Sequence, residues 1–278
     1  MPPAQHRGLP SPYLTVIFTL DDPLVIARHV DPRQPPGSYR ALVGGLHTSP
    51  ALITHDGRQS GVQLRLSPLG ARALLRMPAG ELAGIDVNGT DVLGALADEI
   101  VERMREEPDW PGRFAVIDRM LSARLGGDGH AVSPEVGQAW RLLLASGGVS
   151  NVSALAAETG WSDRHLRSRF REETGLTPKA AARVIRFDRA RRRLQAQATS
   201  GQQPSLASLA ADHGYYDQAH LAREFRELAG CPPSVWVASE FAERRGVEGG
   251  SSPLGQAECS ETSKPRATAR WQARSHER

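Results

Sequence analysis

Arginine side chains with polar neighbours occur at helical spacing in one short stretch of the chain. Leu166 and Phe170 stand four residues apart and belong on the buried face of a helix, whereas Arg164, Arg167 and Ser168 belong on its outer face. An arginine can donate two hydrogen bonds to the edge atoms of a guanine in the major groove. The outer face is therefore a candidate surface for reading base edges.

A second stretch repeats the arrangement. Leu221 and Phe225 form the buried pair, and the outer positions are Gln218, Ala219, Ala222 and Arg223. Glutamine can hold an adenine edge through two hydrogen bonds, as arginine holds guanine. Two alanines make this second outer face less polar than the first, so we expect the first to supply most of the sequence reading.

The two stretches belong to an internal repeat, 155–170 and 209–225. Leu, Gly, an aromatic residue, His-Leu and Phe recur in order, each copy closed by a later Gly and Pro. The offset is 54 residues at Gly160/Gly214 and 55 at Leu166/Leu221, so the second copy has one additional turn residue.

Each copy has residues that can end one helix and begin the next, as in a helix-turn-helix motif. Gly160 and Gly214 can adopt the left-handed conformation that ends a helix, and Ser162 and Asp217 can cap the next one. We expect recognition helices over about 162–173 and 217–229, the part of such a motif that enters the major groove.

A basic helix joins the two copies. It is expected from the Thr177-Pro178 cap to about Ala196, with apolar contacts at Val184, Ile185, Phe187, Ala190 and Leu194 and with Arg183, Arg186, Arg189 and Arg191–Arg193 elsewhere. Residues 161–195 carry 11 Lys or Arg against 4 acidic residues, whereas 1–110 carry 10 Arg against 13 acidic residues. Such local positive charge is typical of nucleic-acid binding. A helix separation of about 34 Å would let both copies enter successive grooves.

The segment Gly214-Tyr-Tyr-Asp-Gln-Ala-His-Leu-Ala-Arg-Glu-Phe225, followed by Gly230-Cys-Pro-Pro233, resembles the signature of the AraC/XylS family of transcription regulators. The resemblance covers about residues 134–240 and includes the first copy and Arg186. Ala219 departs from the polar residue that relatives often carry. The resemblance implies double-stranded DNA as partner, with a small-molecule effector, RNA polymerase and a homodimer as further expectations. The candidate DNA-binding residues are Arg164, His165, Arg167, Ser168, Arg171, Arg186, Gln218, Ala219, His220, Ala222 and Arg223.

The expected fold class is α+β in two domains. Residues 1–126 read as a β-rich sensor or dimerisation domain, compatible with a cupin-like fold, with two trailing helices whose apolar faces include Leu93–Met104 and Phe114–Leu125. Residues 133–241 read as an all-α double helix-turn-helix domain. The boundary is expected at the glycine-rich 126–129, and 245–278 is expected to be a disordered tail.

The sequence lacks the motifs that would indicate several other classes of protein. The sequence has none of the common nucleotide, hydrolase or metalloprotease motifs, and His47 and His55 lack a nearby third ligand, so we expect no catalytic site, metal or cofactor. The two cysteines, Cys231 and Cys259, are expected to be free thiols, and their position excludes an N-terminal alkyl-acceptor domain. With no membrane span or secretory signal, the cytoplasm is expected. A helical repeat that binds only protein remains an alternative.

Overall fold

The computed structural model describes residues 4–56, 59–125, 132–201, 205–239, 255–259 and 271–273. It confirms an α+β chain with a β-rich N-terminal part, residues 4–125, and an all-helical part, residues 132–239. The expected boundary at 126–129 lies outside the described residues.

The N-terminal part is built around two sheets, the second of which also includes two strands from the C-terminal segment. The first has the strand order β1-β6-β3-β4 and is antiparallel throughout, and the second has the order β10-β9-β7-β2-β5-β8. The strands are β1 Ala4–Gly8, β2 Leu14–Thr19, β3 Leu24–Arg28, β4 Gly37–Tyr39, β5 Ala41–Gly44, β6 Ala51–His55, β7 Gly61–Leu66, β8 Asp86–Asn88, β9 Gly255–Cys259 and β10 Trp271–Ala273.

One small apolar cluster joins residues of both sheets. Leu24, Ile26 and Ile53 come from the first sheet and Ile17 and Leu42 from the second, all at most 9% exposed. Strand β2 is buried at five of its six positions because it is central in the second sheet and is covered on both faces. Its apolar run follows from that double coverage.

The helices after the sheets depart in detail from the expected pattern. One helix was expected from about residue 90 to 104, but Gly94 at φ 65° separates α2, Gly89–Leu93, from α3, Leu96–Glu106. Before them, the turn Pro68–Gly70 leads into α1, Ala71–Leu75.

The following helix, α4, spans Trp110–Leu125 and buries Val116, Ile117, Met120 and Leu121, whereas Leu125 is 43% exposed. It packs on α3 and α1, and α3 packs in turn on β2 and β5. The buried faces of this helix pair are therefore occupied within their own chain.

The helical part contains α5 Pro134–Ala145, α6 Val152–Thr159, α7 Asp163–Thr174, α8 Pro178–Thr199, α9 Leu206–Asp212 and α10 Gln218–Ala229, followed by helical residues 233–239. The expected joining helix is α8, and its five predicted apolar contacts are all buried. Phe187 of α8 lies with its ring centroid 5.0 Å from that of Phe225 in α10, so α8 shares a core with the second copy.

The C-terminal segment departs from the expected disordered tail. Strand β9 pairs in parallel with β7, and β10 pairs with β9. The backbone hydrogen bonds of a sheet edge do not require the apolar periodicity on which the expectation was based. The rest of 245–278 lies outside the described residues. Within the described part of the chain, no helix is both long and apolar enough to cross a membrane.

Replacing Phe187 with alanine should lower the free energy of unfolding by about 3–5 kcal/mol, because the side chain is fully buried and the site is closed by Phe225. Urea denaturation measures the change. Leu125→Ala is the matched control, since that side chain is 43% exposed and its removal should cost far less. Equal losses for the two variants would contradict the packing described above.

Candidate nucleic-acid interface

The two copies of the repeat have the same turn geometry. Trp161 N donates to Ala156 O at 3.0 Å, and Tyr215 N donates to Ala210 O at the same distance. Gly160 and Gly214 lie at φ 70° and 71°. We refer to α6–α7 as the first unit and α9–α10 as the second unit.

Both recognition helices begin where the sequence predicted. Ser162 Oγ accepts from His165 N at 3.3 Å, and Asp217 Oδ1 accepts from His220 N at 2.6 Å. The helices α7 and α10 match the expected 162–173 and 217–229 to within one residue. The inward pairs Leu166/Phe170 and Leu221/Phe225 are fully buried, as predicted.

His165 and His220 occupy equivalent positions and pack on the aromatic residue of the preceding turn. The His165 ring lies edge-on to Trp161 at 4.5 Å between centroids, and His220 lies edge-on to Tyr215 at 5.3 Å. These contacts fix the corner between the two helices of each unit.

The first reading face consists of Arg164, Arg167, Ser168 and Arg171, all exposed. Among the described residues, none forms an ion pair with these three arginines, although Arg169 on the same helix pairs with Glu172 at 2.7 Å. Unpaired guanidinium groups on one helix face are available to an external anion.

The second reading face consists of Gln218, Ala219, Ala222 and Arg223. Ala222 is half-buried and the other three are exposed. The additional turn residue of this unit, Tyr216, is 93% exposed directly before the helix cap. The second face thus carries one guanidinium against three in the first.

The arginines of the joining helix are used differently from the expectation. Arg191 and Arg192 bind the buried Asp188 at 2.7 and 2.9 Å, and Arg183 binds the buried Glu224 of α10 at 3.0 Å. Much of the positive charge that the sequence assigns to this helix is therefore neutralised within the protein.

Arg186 also lies away from both reading faces. Its side chain is 16% exposed, and its guanidinium donates to Gly148 O at 2.8 Å and lies 3.2 Å from Glu224 Oε2. It further stacks over the Tyr215 ring, 5.6 Å from the centroid. The sequence grouped Arg186 with the DNA-binding residues, whereas the structure gives it contacts inside the helical part.

The N-terminal part contacts the first unit through an ion pair. Arg72 of α1 donates to Glu173 of α7 from Nε at 2.6 Å and from Nη2 at 2.9 Å. The backbones also approach closely, since a Cβ on Gly80 would lie 2.0 Å from Glu172 O. A second pair joins Arg65 of β7 to Asp188 of α8 at 3.7 Å, with both side chains buried.

An open cleft of about 750 Å³ lies between the N-terminal part and the first reading face. One wall is the segment around the turn Ala79–Leu82, and the other holds all four residues of the first reading face. Glu81 lies on the wall formed by the N-terminal part and places its carboxylate opposite the arginines of α7. The N-terminal part therefore borders the surface that the sequence predicts to read DNA.

The sequence reasoning missed Glu173, Glu224 and Arg72. A signal for Glu173 exists in the repeat, because Leu166 aligns with Leu221 and Glu173 therefore aligns with Leu228, which is fully buried. A carboxylate that is buried at the position where the other copy buries a leucine requires a hydrogen-bonding or positively charged partner. That partner, Arg72, lies 101 positions away, and no local pattern could have found it.

The fold and the exposed faces define a double helix-turn-helix DNA-binding domain. A family model described as "Helix-turn-helix domain" matches residues 155–239, which include both units. The match covers the segment whose signature at 214–233 resembles that of the AraC/XylS transcription regulators. No curated protein sequence is significantly similar to the chain.

Solved structures of transcription regulators are among those to which parts of the chain are similar. The DNA-binding domain of AdpA, a global transcriptional factor solved with a target DNA, is 25% identical, covers 41% of this chain and 98% of its own, and has a TM-score of 0.36. The C-terminal domain of the response regulator AraT from Geobacillus stearothermophilus is 19% identical over 39% and 87%, with a TM-score of 0.35. ToxT from Vibrio cholerae is 10% identical over 85% and 97%, with a TM-score of 0.48.

Replacing Asp217 with alanine should destabilise α10 by about 0.5–2 kcal/mol, because His220 N loses its capping acceptor. Urea denaturation measures the loss. Gln218→Ala, one residue further on, removes an exposed side chain from the same turn and should leave stability within about 0.5 kcal/mol. If Gln218→Ala proved as costly as Asp217→Ala, the cap would not be the source of the stability.

Proposed function

We propose that the protein is a sequence-specific DNA-binding transcription regulator that places α7 and α10 in successive major grooves on one side of the duplex. The observation that carries the proposal is the first reading face, where three exposed arginines lie without an ion-pair partner among the described residues. The arginines Arg183, Arg191 and Arg192 of the joining helix α8, by contrast, are all paired with acidic side chains. DNA supplies both the guanine edges and the phosphates that such a face can bind.

The two units take unequal parts in the proposed complex. The first reads sequence through Arg164 and Arg167, with Ser168 and Arg171 beside them. The second contributes Gln218 and Arg223, while Ala219 and Ala222 allow close approach of the helix to the groove. His165 and His220 support the turns through their aromatic contacts.

We also propose that the N-terminal part controls the first unit. The support is the Arg72–Glu173 pair together with the cleft that brings Glu81 beside the first reading face. DNA phosphates entering this cleft would meet a carboxylate and the turn around Gly80. Docking of the N-terminal part and docking of DNA on α7 are therefore expected to compete.

Further partners rest on the family resemblance alone. The proposal includes a small-molecule effector bound by the N-terminal part, a contact with RNA polymerase, and a homodimer. It places the protein with the chromosomal DNA, in the cytoplasm of a bacterial cell. None of the proposed steps uses a catalytic group, metal or cofactor.

Selection of preferred sites from a random DNA pool tests the central proposal. Arg167→Ala should weaken binding to the selected site by about 1–3 kcal/mol and relax the preference at one base pair. Arg169→Ala is the matched control, because Arg169 lies on the same helix but pairs with Glu172 and does not line the cleft. A gel-shift titration with salt should show steep weakening for the unmodified protein.

If selection enriched no DNA sequence from the random pool, the proposed function would be wrong. An equal loss on selected and random DNA for Arg167→Ala would instead leave DNA binding intact and remove only the base-reading role of Arg167.

Glu173→Leu tests the control by the N-terminal part. The variant takes the leucine of the second unit, so it removes the ion pair with Arg72 without leaving a buried charge. We expect the full-length variant to bind the selected DNA at least about fivefold more tightly, within the usual range of coupling between sites. Fluorescence anisotropy with labelled DNA measures this.

The matched control is Glu158→Leu, which removes one exposed carboxylate from α6 of the same unit without breaking the contact with Arg72. It corrects for the general attraction of DNA to a less acidic protein. If both variants gained the same affinity, electrostatics would account for the effect and the proposed competition would be wrong.

A further inference from the structure

The Arg186 side chain contacts both the turn that leads into the first unit and the recognition helix of the second unit. One nitrogen, Nη1, donates to Gly148 O at 2.8 Å, in the turn that leads into the first unit. The other, Nη2, lies 3.2 Å from Glu224 Oε2, in the recognition helix of the second unit. A single planar guanidinium therefore spans the junction between the units.

The surroundings hold this guanidinium in place. Glu224 is 5% exposed and is also bound by Arg183 at 3.0 Å, so the acceptor is fixed from two turns of α8. The Tyr215 ring covers the guanidinium from the turn of the second unit. On the other side, the turn at Gly148 is so close to α8 that a Cβ there would lie 2.3 Å from Ala182 O.

The turn that leads into the first unit also contacts the second unit directly. A Cβ on Gly214 would lie 2.6 Å from Val149 Cγ2, so the turn of the second unit lies against the residue that follows Gly148. Val149 is 58% exposed, and this contact is small. The polar junction around Arg186 therefore adds to the apolar core that α8 shares with both units, at a point where direct apolar contact is small.

Equivalent positions of the repeat differ at this junction. Glu224 aligns with Arg169 of the first unit, which is exposed and pairs locally with Glu172. Only the second recognition helix thus carries a buried carboxylate aimed at α8. The asymmetry is expected if that carboxylate serves to fix the second unit relative to the first.

We propose that Arg186 is a specificity-determining residue which sets the number of base pairs between the two half-sites that the protein accepts. The proposal rests on the proposed insertion of both recognition helices into DNA. A rigid junction holds the reading faces at one separation and one rotation, and each base pair added between half-sites rotates the second by about one tenth of a turn. A rigid protein cannot follow that rotation, and a loosened one can.

The experiment uses the full-length protein and its selected DNA site, with the spacer between half-sites shortened or lengthened by one base pair. The variant is Arg186→Lys, which keeps the charge but cannot bond two partners with a planar fork. The unmodified protein should lose about tenfold in affinity on either altered spacer, and the variant less than about threefold. On the original spacer the variant should bind DNA more weakly than the unmodified protein. Once the first unit is bound, a less rigid junction lowers the effective concentration of the second unit at its half-site.

The control is Arg193→Lys, an exposed position on the same helix, which should keep the spacer profile of the unmodified protein. Glu224→Gln removes the negative charge that Arg183 and Arg186 bind in the second unit, and it should flatten the profile even if Arg186→Lys fails to fold. Circular dichroism establishes folding for each variant.

Three other outcomes are informative. Loss of affinity by the same factor on every spacer would mean that Arg186 contacts DNA phosphate directly and would overturn the inference. An unchanged profile in both variants would overturn it as well. If the unmodified protein selected no DNA sequence, the proposed function itself would fail, which is a result distinct from either.

Discussion

Buried carboxylates that must be paired with arginine organise the helical part of this protein. Glu173, Asp188 and Glu224 are each at most 7% exposed, and each has a guanidinium partner. An isolated ionised carboxylate at such a position would cost several kcal/mol. Each of the three therefore requires a particular element to stay in place: α1 for Glu173, β7 and α8 for Asp188, and α8 for Glu224.

This constraint divides the arginines into two groups. Those of α8 mainly satisfy buried acids and hold the units together, and those of the first reading face remain exposed and unpaired among the described residues. Net charge over 161–195 does not distinguish the two groups, although only the second is available to DNA. The location of unpaired charge, rather than its amount, indicates the binding surface.

The same constraint makes the N-terminal part a structural neighbour of the first reading face, the proposed DNA-binding surface. Arg72 satisfies Glu173, and the turn around Gly80 follows α1 closely in the chain, so the pairing brings that turn against α7. The ion pair between Arg72 and Glu173, which stabilises the folded chain, therefore also holds the N-terminal part beside the first reading face. The ion pair between Arg72 and Glu173 therefore contributes to stability and, under the proposed control by the N-terminal part, also limits access of DNA to α7.

The sequence by itself determined the local features of the helical part. Gly160, Ser162, Gly214 and Asp217 act over a few residues, and the apolar pairs follow the helical period, so the turns, caps and buried positions could be predicted closely. The break at Gly94 was missed because a periodic apolar pattern can continue across two short helices.

Only the tertiary structure decided which charged residues are free. Arg167 and Arg186 look alike in sequence, since both are arginines on amphipathic helices. Their roles differ because a buried carboxylate from another element reaches Arg186 and none among the described residues reaches Arg167. Such pairings join positions 38 and 101 residues apart, and neither periodicity nor motif spacing carries information over that distance.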